Sequence, residues 1–292
     1  MLKLDHVTKV FTSGTFGGAA VTAVSDVTFE IKPGEVVSLI GESGSGKTTV
    51  GRMILRLTEV TDGTITFEGK DVTALGGRRL RGYYQHVQGV FQDPFSSYNP
   101  VFRVDRVFEM IRSIYLGGLS RAAWRAKLRT SLEAVGLEPA DVLGKYPHQL
   151  SGGQLQRLLI ARALLLEIRF LVADEIISML DASTRIDVLN LLGDLKERGL
   201  GVLFVTHDLS LGHYISDQTV ILRRGVVVER GDTAKVFGDP RHPYTRMLMA
   251  SVPQLDHKWT SNGGPQPAAE VEPEGDLVEV EVEPGHCVLV PR

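Results

Sequence analysis

One cysteine in 292 residues, Cys287, leaves the chain unable to close an intrachain disulfide or to build a cysteine-based metal site. Long apolar runs are missing too. No window approaches the roughly 20 consecutive apolar residues that a membrane-spanning helix needs. The opening stretch, MLKLDHVTKVF, has no apolar segment of the kind a secretory signal requires. A basic excess is also lacking: 32 Lys and Arg face 35 Asp and Glu, for a formal charge of -3. A nucleic-acid binder would ordinarily show a basic stripe, so no nucleic-acid partner is expected. These gaps describe a chain expected to be soluble, compatible with a reducing cytosol, that serves a membrane only by docking to a partner.

What is present suffices for one large domain, or one domain with an appendage, around a sizeable core, since 43% of residues are hydrophobic. Residues 2–10 and 23–31 read as strands, and the Gly/Ser/Thr-rich stretch between them as a loop. Pro33-Gly34 marks a turn ahead of Val36–Ile40, a short apolar run suited to a strand buried on both faces. A helix is expected over Thr48–Leu57, and Asp62-Gly63 signals a hairpin before a strand at Thr64–Phe67. Residues 100–163 turn helical. A second buried strand, Phe170–Ala173, is followed by a helix over Thr184–Arg198 and strands at Val202–Val205 and Gln218–Leu222. Strands alternating with helices predict an α/β fold with a mainly parallel sheet. Residues 258–275 read as a linker, and the alternation in Leu277–Pro284 as an exposed edge strand. The acidic cluster Glu270, Glu272, Glu274, Asp276, Glu279, Glu281 and Glu283 reads as a solvated segment.

Chemistry concentrates at three places. Gly41-Glu42-Ser43-Gly44-Ser45-Gly46-Lys47-Thr48 fits G-x-x-x-x-G-K-[ST] and lies between a buried strand and a helix. Glycines there let successive backbone N–H groups converge on phosphate oxygens, and the helix start adds its positive dipole end. Lys47 is expected on the β- and γ-phosphates and the Thr48 hydroxyl on Mg²⁺, with Thr49 also counted among the nucleotide-binding positions. Asp174 closes the strand Phe170–Ala173, where a parallel sheet presents ligand-binding groups, and is expected at Mg²⁺. Glu175, one step on, is placed to activate the attacking water. Without a phosphate loop, the same Asp-Glu pair would read as acidic residues opposing a helix dipole. Third, Ser151-Gly152-Gly153 at a helix start forms either an ordinary N-cap or a second anion-binding nest.

Leu150-Ser151-Gly152-Gly153-Gln154, with Leu155, Gln156 and Arg157 after it, resembles the signature segment of ATP-binding cassette (ABC) ATPases. That resemblance implies a P-loop NTPase core with an antiparallel β subdomain and a helical subdomain near 95–165. It implies ATP and Mg²⁺ as ligands, and a Ser151–Gln154 segment closing over ATP held by an opposing subunit. Gln92 resembles the Q-loop glutamine that joins metal and water. Asp181 resembles the D-loop aspartate that communicates across the dimer, and His207 the switch histidine on the γ-phosphate. Phe11, or less favourably Phe16, is expected to stack on adenine. Two departures stand out: Ile176-Ile177-Ser178-Met179 replaces the family's usual Pro-Thr-Ser-Ala, and Ile168 stands where proline commonly precedes the strand.

The stretch Phe91–Pro100, then Val236-Phe237, Pro240-Arg241-His242-Pro243-Tyr244-Thr245 and Ser251-Val252-Pro253, resembles the oligopeptide/dipeptide importer subfamily. So does the end of the chain, Leu277–Val280 through Pro284-Gly285-His286. The likeness implies a nucleotide-binding domain over 1–231 and a subfamily-type extension over 232–292. It implies a second, non-identical cassette, two membrane permeases and an extracytoplasmic solute-binding protein as partners, at the cytoplasmic face of the membrane. Relatives move peptides, nickel or oligosaccharides. Some hold an iron–sulfur cluster on several C-terminal cysteines; with Cys287 alone, none is expected here. The rival readings are a soluble ABC ATPase outside transport, a P-loop kinase or GTPase with a monomeric site, and a cassette that does not hydrolyse ATP.

Overall fold

A computed structural model describes residues 1–12, 19–251 and 277–292. Contacts divide the chain into one unit made of Met1–Thr73 with Leu203–Arg292, and another made of Ala74–Val202. In chain order, the first unit begins with β1 (Leu2–Thr12), β2 (Ala20–Ile31), β3 (Val36–Ile40), α1 (Lys47–Ile54), β4 (Asp62–Phe67) and β5 (Lys70–Asp71). The second contains α2 (Gly77–Tyr83), β6 (Val87–Val90), α3 (Asp105–Tyr115), α4 (Arg121–Glu133), α5 (Pro139–Val142), α6 (Gly152–Leu164), β7 (Phe170–Asp174) and α7 (Ala182–Glu197). The chain then returns through β8 (Gly201–Thr206), α8 (Leu209–Ile215), β9 (Gln218–Arg223), β10 (Val226–Asp232), α9 (Thr233–Gly238), α10 (Pro243–Ala250), β11 (Leu277–Glu283) and β12 (His286–Pro291).

In the first unit an antiparallel sheet has the order β2-β1-β4-β5. Leu4 pairs with Phe29 on one side and Ile65 on the other, and Leu2, Leu4, Val27 and Ile31 bury the inner face as alternation demands. Asp62-Gly63 does not make the expected hairpin. The pair opens β4 against β1, and a Cβ at Gly63 would stand 2.2 Å from the His6 carbonyl oxygen. The tight turn falls instead at Glu68-Gly69, where both φ values are positive and Phe67 pairs with Lys70. The expected helix after the phosphate loop stops at Ile54, shorter than the apolar pattern suggested.

A larger sheet in the same unit runs β11-β12-β10-β9-β3-β8. β3 and β9 are parallel, with Leu39 opposite Val220, and all five β3 residues are buried, which explains a run apolar at every position but Ser38, whose hydroxyl bonds that of Thr219 at 2.9 Å. β12 adds to β10 antiparallel, so the C-terminal hairpin shares the sheet of the phosphate-loop strand. β11 forms the edge, as its alternating sequence indicated. The acidic residues there are more than a solvated run. Glu279 takes both Nε and Nη2 of Arg230, at 2.6 and 2.8 Å, and Glu281 accepts the Gly285 N–H at 2.8 Å.

In the second unit β6 and β7 pair in parallel, Gly89 opposite Val172. Phe108 of α3, Trp124 and Leu132 of α4, and Leu155, Leu158 and Leu159 of α6 bury the apolar stripes of their helices. No described helix is long and apolar enough to cross a membrane.

Candidate nucleotide-binding site

The phosphate loop starts where β3 ends and is shaped by two positions that admit no side chain. A Cβ at Gly41 would stand 2.1 Å from the Leu222 carbonyl oxygen, and one at Gly46 2.5 Å from that of Ala23. Gly46 (φ +104) and Gly44 (φ +82) also need the left-handed region. Ser45 O accepts the Gly225 N–H at 2.8 Å, pinning the loop to the β9–β10 turn, and the Gly225 carbonyl holds Ser25 N–H on β2. Lys47, 5% exposed, opens α1 and donates Nζ–H to the carbonyls of Gly41 (2.7 Å) and Glu42 (2.8 Å). Thr48 and Thr49 follow on α1, and Ser43 lies on the exposed crest of the loop. The Ser45 hydroxyl is buried with no hydrogen-bond partner among the described residues. A backbone cradle without Cβ atoms, a lysine held at its mouth and an orphaned hydroxyl together suit a polyphosphate.

His207, also in this unit, follows β8 and is exposed. Thr206 Oγ1 accepts the Asp208 N–H at 3.0 Å, and Asp208 caps α8 through the Leu211 N–H, so the histidine projects from a fixed corner. Phe11, 45% exposed near the end of β1, presents a ring with Lys9 Nζ 5.0 Å from its centroid. A half-open aromatic face of this kind is a suitable stacking platform. Phe16 lies outside the described residues.

The remaining site residues are in the other unit. Asp174, buried, closes β7. Glu175 is half-buried with φ +50, a conformation that few non-glycine residues adopt. Ser178 returns to it, its N–H and hydroxyl donating to the Glu175 carbonyl at 3.1 and 2.9 Å. The departures Ile176 and Ile177 are both buried, at 1% and 2% exposure, and so supply apolar packing beneath this turn. Arg185 fixes the next residues, donating to the carbonyls of Leu180 and Ser178. Gln92 is exposed just past β6. The following turn is held by Asp93, which accepts the Phe95 N–H at 2.9 Å.

Asp181 N-caps α7, accepting the Ser183 hydroxyl (2.6 Å), the Thr184 N–H (3.0 Å) and the Thr184 hydroxyl (2.8 Å). The Ser183 hydrogen bond first, then those from Thr184, hold its carboxyl well below the usual carboxylate range. Ser151 and Gln154 form a capping box on α6: Ser151 Oγ accepts the Gln154 N–H at 3.1 Å, and Gln154 Oε1 accepts the Ser151 N–H at 3.0 Å. Within this chain, therefore, the signature serine is an N-cap. A Cβ at Gly152 would make ordinary contact with Leu180 Cδ2 at 3.7 Å, but Gly153 packs α6 against α7, since a Cβ there would stand 2.4 Å from Thr184 Cγ2.

Sequence reasoning missed one element of the phosphate loop. The Glu42 N–H donates to the Tyr244 hydroxyl at 3.1 Å, from 202 residues away. The His242–Thr245 segment was visible as a motif, but nothing in its spacing points to Gly41–Thr48.

Two family models match the chain. The family model for the ABC transporter matches residues 24–178, and that for the oligopeptide/dipeptide transporter C-terminal region matches 228–277. A putative peptide import ATP-binding protein of Brucella ovis is 44% identical over 240 residues, 82% of this chain and 75% of that protein. An oligopeptide transport ATP-binding protein of Bacillus subtilis is 38% identical over 295 residues, covering 99% and 95%. Among solved structures, an ATP-binding cassette in a dimeric, post-hydrolysis state bound to ADP and Pi superposes with a TM-score of 0.70. It is 30% identical and covers 80% of this chain and 99% of its own.

Proposed function

Because this chain belongs to the ABC transporter family, we propose that it is the ATP-hydrolysing subunit of an importer that takes up peptides or related small solutes. The carrying observation is the phosphate loop: Gly41 and Gly46 tolerate no Cβ, and Lys47 is held by two loop carbonyls. The match of the C-terminal family model and the names of the relatives support the peptide class.

The roles follow from residue chemistry. The N–H groups of residues 43–49 receive the β- and γ-phosphate oxygens, and Lys47 moves its ammonium from carbonyl oxygens to phosphate. Thr48, Gln92 and Asp174 are the oxygen donors for Mg²⁺, which when bound neutralises charge on the phosphates. Glu175 takes the proton of the attacking water, and His207 donates a hydrogen bond to the γ-phosphate. Phe11 stacks on the base.

A chain with one phosphate loop and a second, separate Ser-Gly-Gly helix start has a use for both when two cassettes face each other. The capping-box geometry leaves the N–H groups of Gly152 and Gly153 available to an anion brought by a partner. The second cassette is a related, non-identical subunit, and Asp181 lies on the surface facing it. Residues 1–231 form the nucleotide-binding domain, with residues 95–165 as the helical part that engages two permease subunits, and residues 232–292 form the extension. The assembly sits on the cytoplasmic face of the membrane and is served by a solute-binding protein outside.

Glu175→Gln tests the assignment. MgATP binding is retained, turnover falls to near zero, and light scattering detects a trapped dimer in the presence of a partner cassette. Normal hydrolysis by this variant removes Glu175 from its role.

A further inference from the structure

Tyr244 reaches the phosphate loop from the C-terminal part of the chain. Its ring, 4% exposed, packs with Ile40, Ile221, Val236 and Leu248, and the Arg223 guanidinium lies 5.2 Å from the ring centroid. Ile40 is the last residue before Gly41, so the extension's apolar core continues directly into the base of the loop. The hydroxyl then accepts the N–H of Glu42.

A buried carboxylate places the tyrosine. Glu229, 1% exposed on β10, accepts the N–H of Arg241 at 2.8 Å and that of His242 at 2.9 Å, and pairs with His286 Nε2 at 2.7 Å. A carboxylate sunk this deep is tolerable because three donors surround it. Those donors fix the turn before α10. His242 Nδ1 accepts the Tyr244 N–H at 3.1 Å and so caps the helix, which requires that nitrogen to be unprotonated. The approach of His286 depends on Gly231, where a Cβ would meet the Gly285 carbonyl at 2.4 Å. The path His286–Glu229–turn–Tyr244–Glu42 thus runs unbroken from the C-terminal hairpin to the first peptide of the phosphate loop.

We infer that Tyr244 is a positioning residue for ATP binding, set in place by the buried pair of Glu229 on β10 and His286 of the C-terminal hairpin. The inference rests on reading Gly41–Thr48 as the nucleotide cradle. Lys47 also holds the Gly41–Glu42 peptide, by its carbonyl, but its ammonium is drawn to phosphate when nucleotide arrives. Tyr244 has no such competing task and keeps the peptide oriented. Without the hydroxyl the peptide rotates more freely, and affinity falls by the fraction of time the loop spends outside its binding arrangement.

The test is a calorimetric titration of MgATP into the full chain, its Tyr244→Phe and Glu229→Gln variants, and the double variant. Tyr244→Phe keeps the ring and deletes one neutral hydrogen bond, so the dissociation constant rises about two- to tenfold. In steady-state hydrolysis with partner subunits, KM for ATP rises more than kcat falls. Glu229→Gln shifts affinity in the same direction, and its effect shrinks sharply in the Tyr244→Phe background, because it acts through that hydroxyl. Unchanged affinity in Tyr244→Phe overturns the inference, and this measurement decides alone if Glu229→Gln does not fold. Fully additive effects of the two substitutions overturn the relay from Glu229. Failure of the parent chain to bind MgATP overturns the nucleotide reading itself, and the inference with it.

Discussion

Tyr244 and Lys47 hold one peptide unit from its two ends: the Glu42 N–H donates to the tyrosine hydroxyl, and the Gly41 carbonyl accepts from the lysine ammonium. Lys47 therefore has two tasks, one structural and one directed at phosphate. Its Nζ is also bonded to the Glu42 carbonyl, in a position only 5% exposed.

The double task makes Lys47→Met informative with and without nucleotide. Affinity for MgATP falls on the order of 100-fold, since a charge-assisted contact to phosphate is lost. Stability without nucleotide also falls, by about 1–3 kcal/mol, because two loop carbonyls lose a charged donor. Denaturant unfolding in nucleotide-free buffer checks the second effect. A variant as stable as the parent would mean that the lysine does not hold the loop.

Much of this was legible in the residues. The glycine spacing at 41–46 encodes a backbone path, and β3 is apolar at four of its five positions, so local pattern and buried environment agree. The place of Asp174 and Glu175 at the end of β7 was legible because an apolar strand ends abruptly in two acids. Asp62-Gly63 misled because a dipeptide that favours a turn also suits a strand start where another backbone passes close, here at His6. The Tyr244–Glu42 bond was invisible for a different reason. Its partners are 202 residues apart, and sequence periodicity carries no information about which surfaces meet over that distance. The acidic tail was read by composition alone, and composition does not reveal that the Glu279 carboxylate reaches the Arg230 guanidinium across β12.

Asp181 should titrate abnormally. Its folded-state value is depressed, so the stability it contributes is fully present above the ordinary aspartate value of about 3.9 and is lost as pH falls through the lower folded value. Carboxyl chemical shifts followed by NMR are expected to show Asp181 still ionised where exposed aspartates are half-protonated. The Ser183 hydroxyl is the largest cause, so Ser183→Ala moves the midpoint upward toward the ordinary value. A midpoint unaffected by that substitution would leave the capping bonds without electrostatic consequence.

Gly153 offers a test of how α6 and α7 are locked together. An added Cβ would meet Thr184 Cγ2 at 2.4 Å, and Thr184 cannot easily turn aside because both its N–H and its hydroxyl are bound by Asp181. Gly153→Ala is therefore expected to destabilise the chain by about 1–3 kcal/mol through overpacking. Thr184→Ser keeps the hydroxyl but deletes the offending methyl, so the pair Gly153→Ala with Thr184→Ser should recover most of the loss. Urea unfolding of the four proteins in this cycle measures the coupling, expected to favour the pair by about 0.5–3 kcal/mol. If serine gives no rescue, contact with the Thr184 methyl is not what makes Gly153→Ala costly.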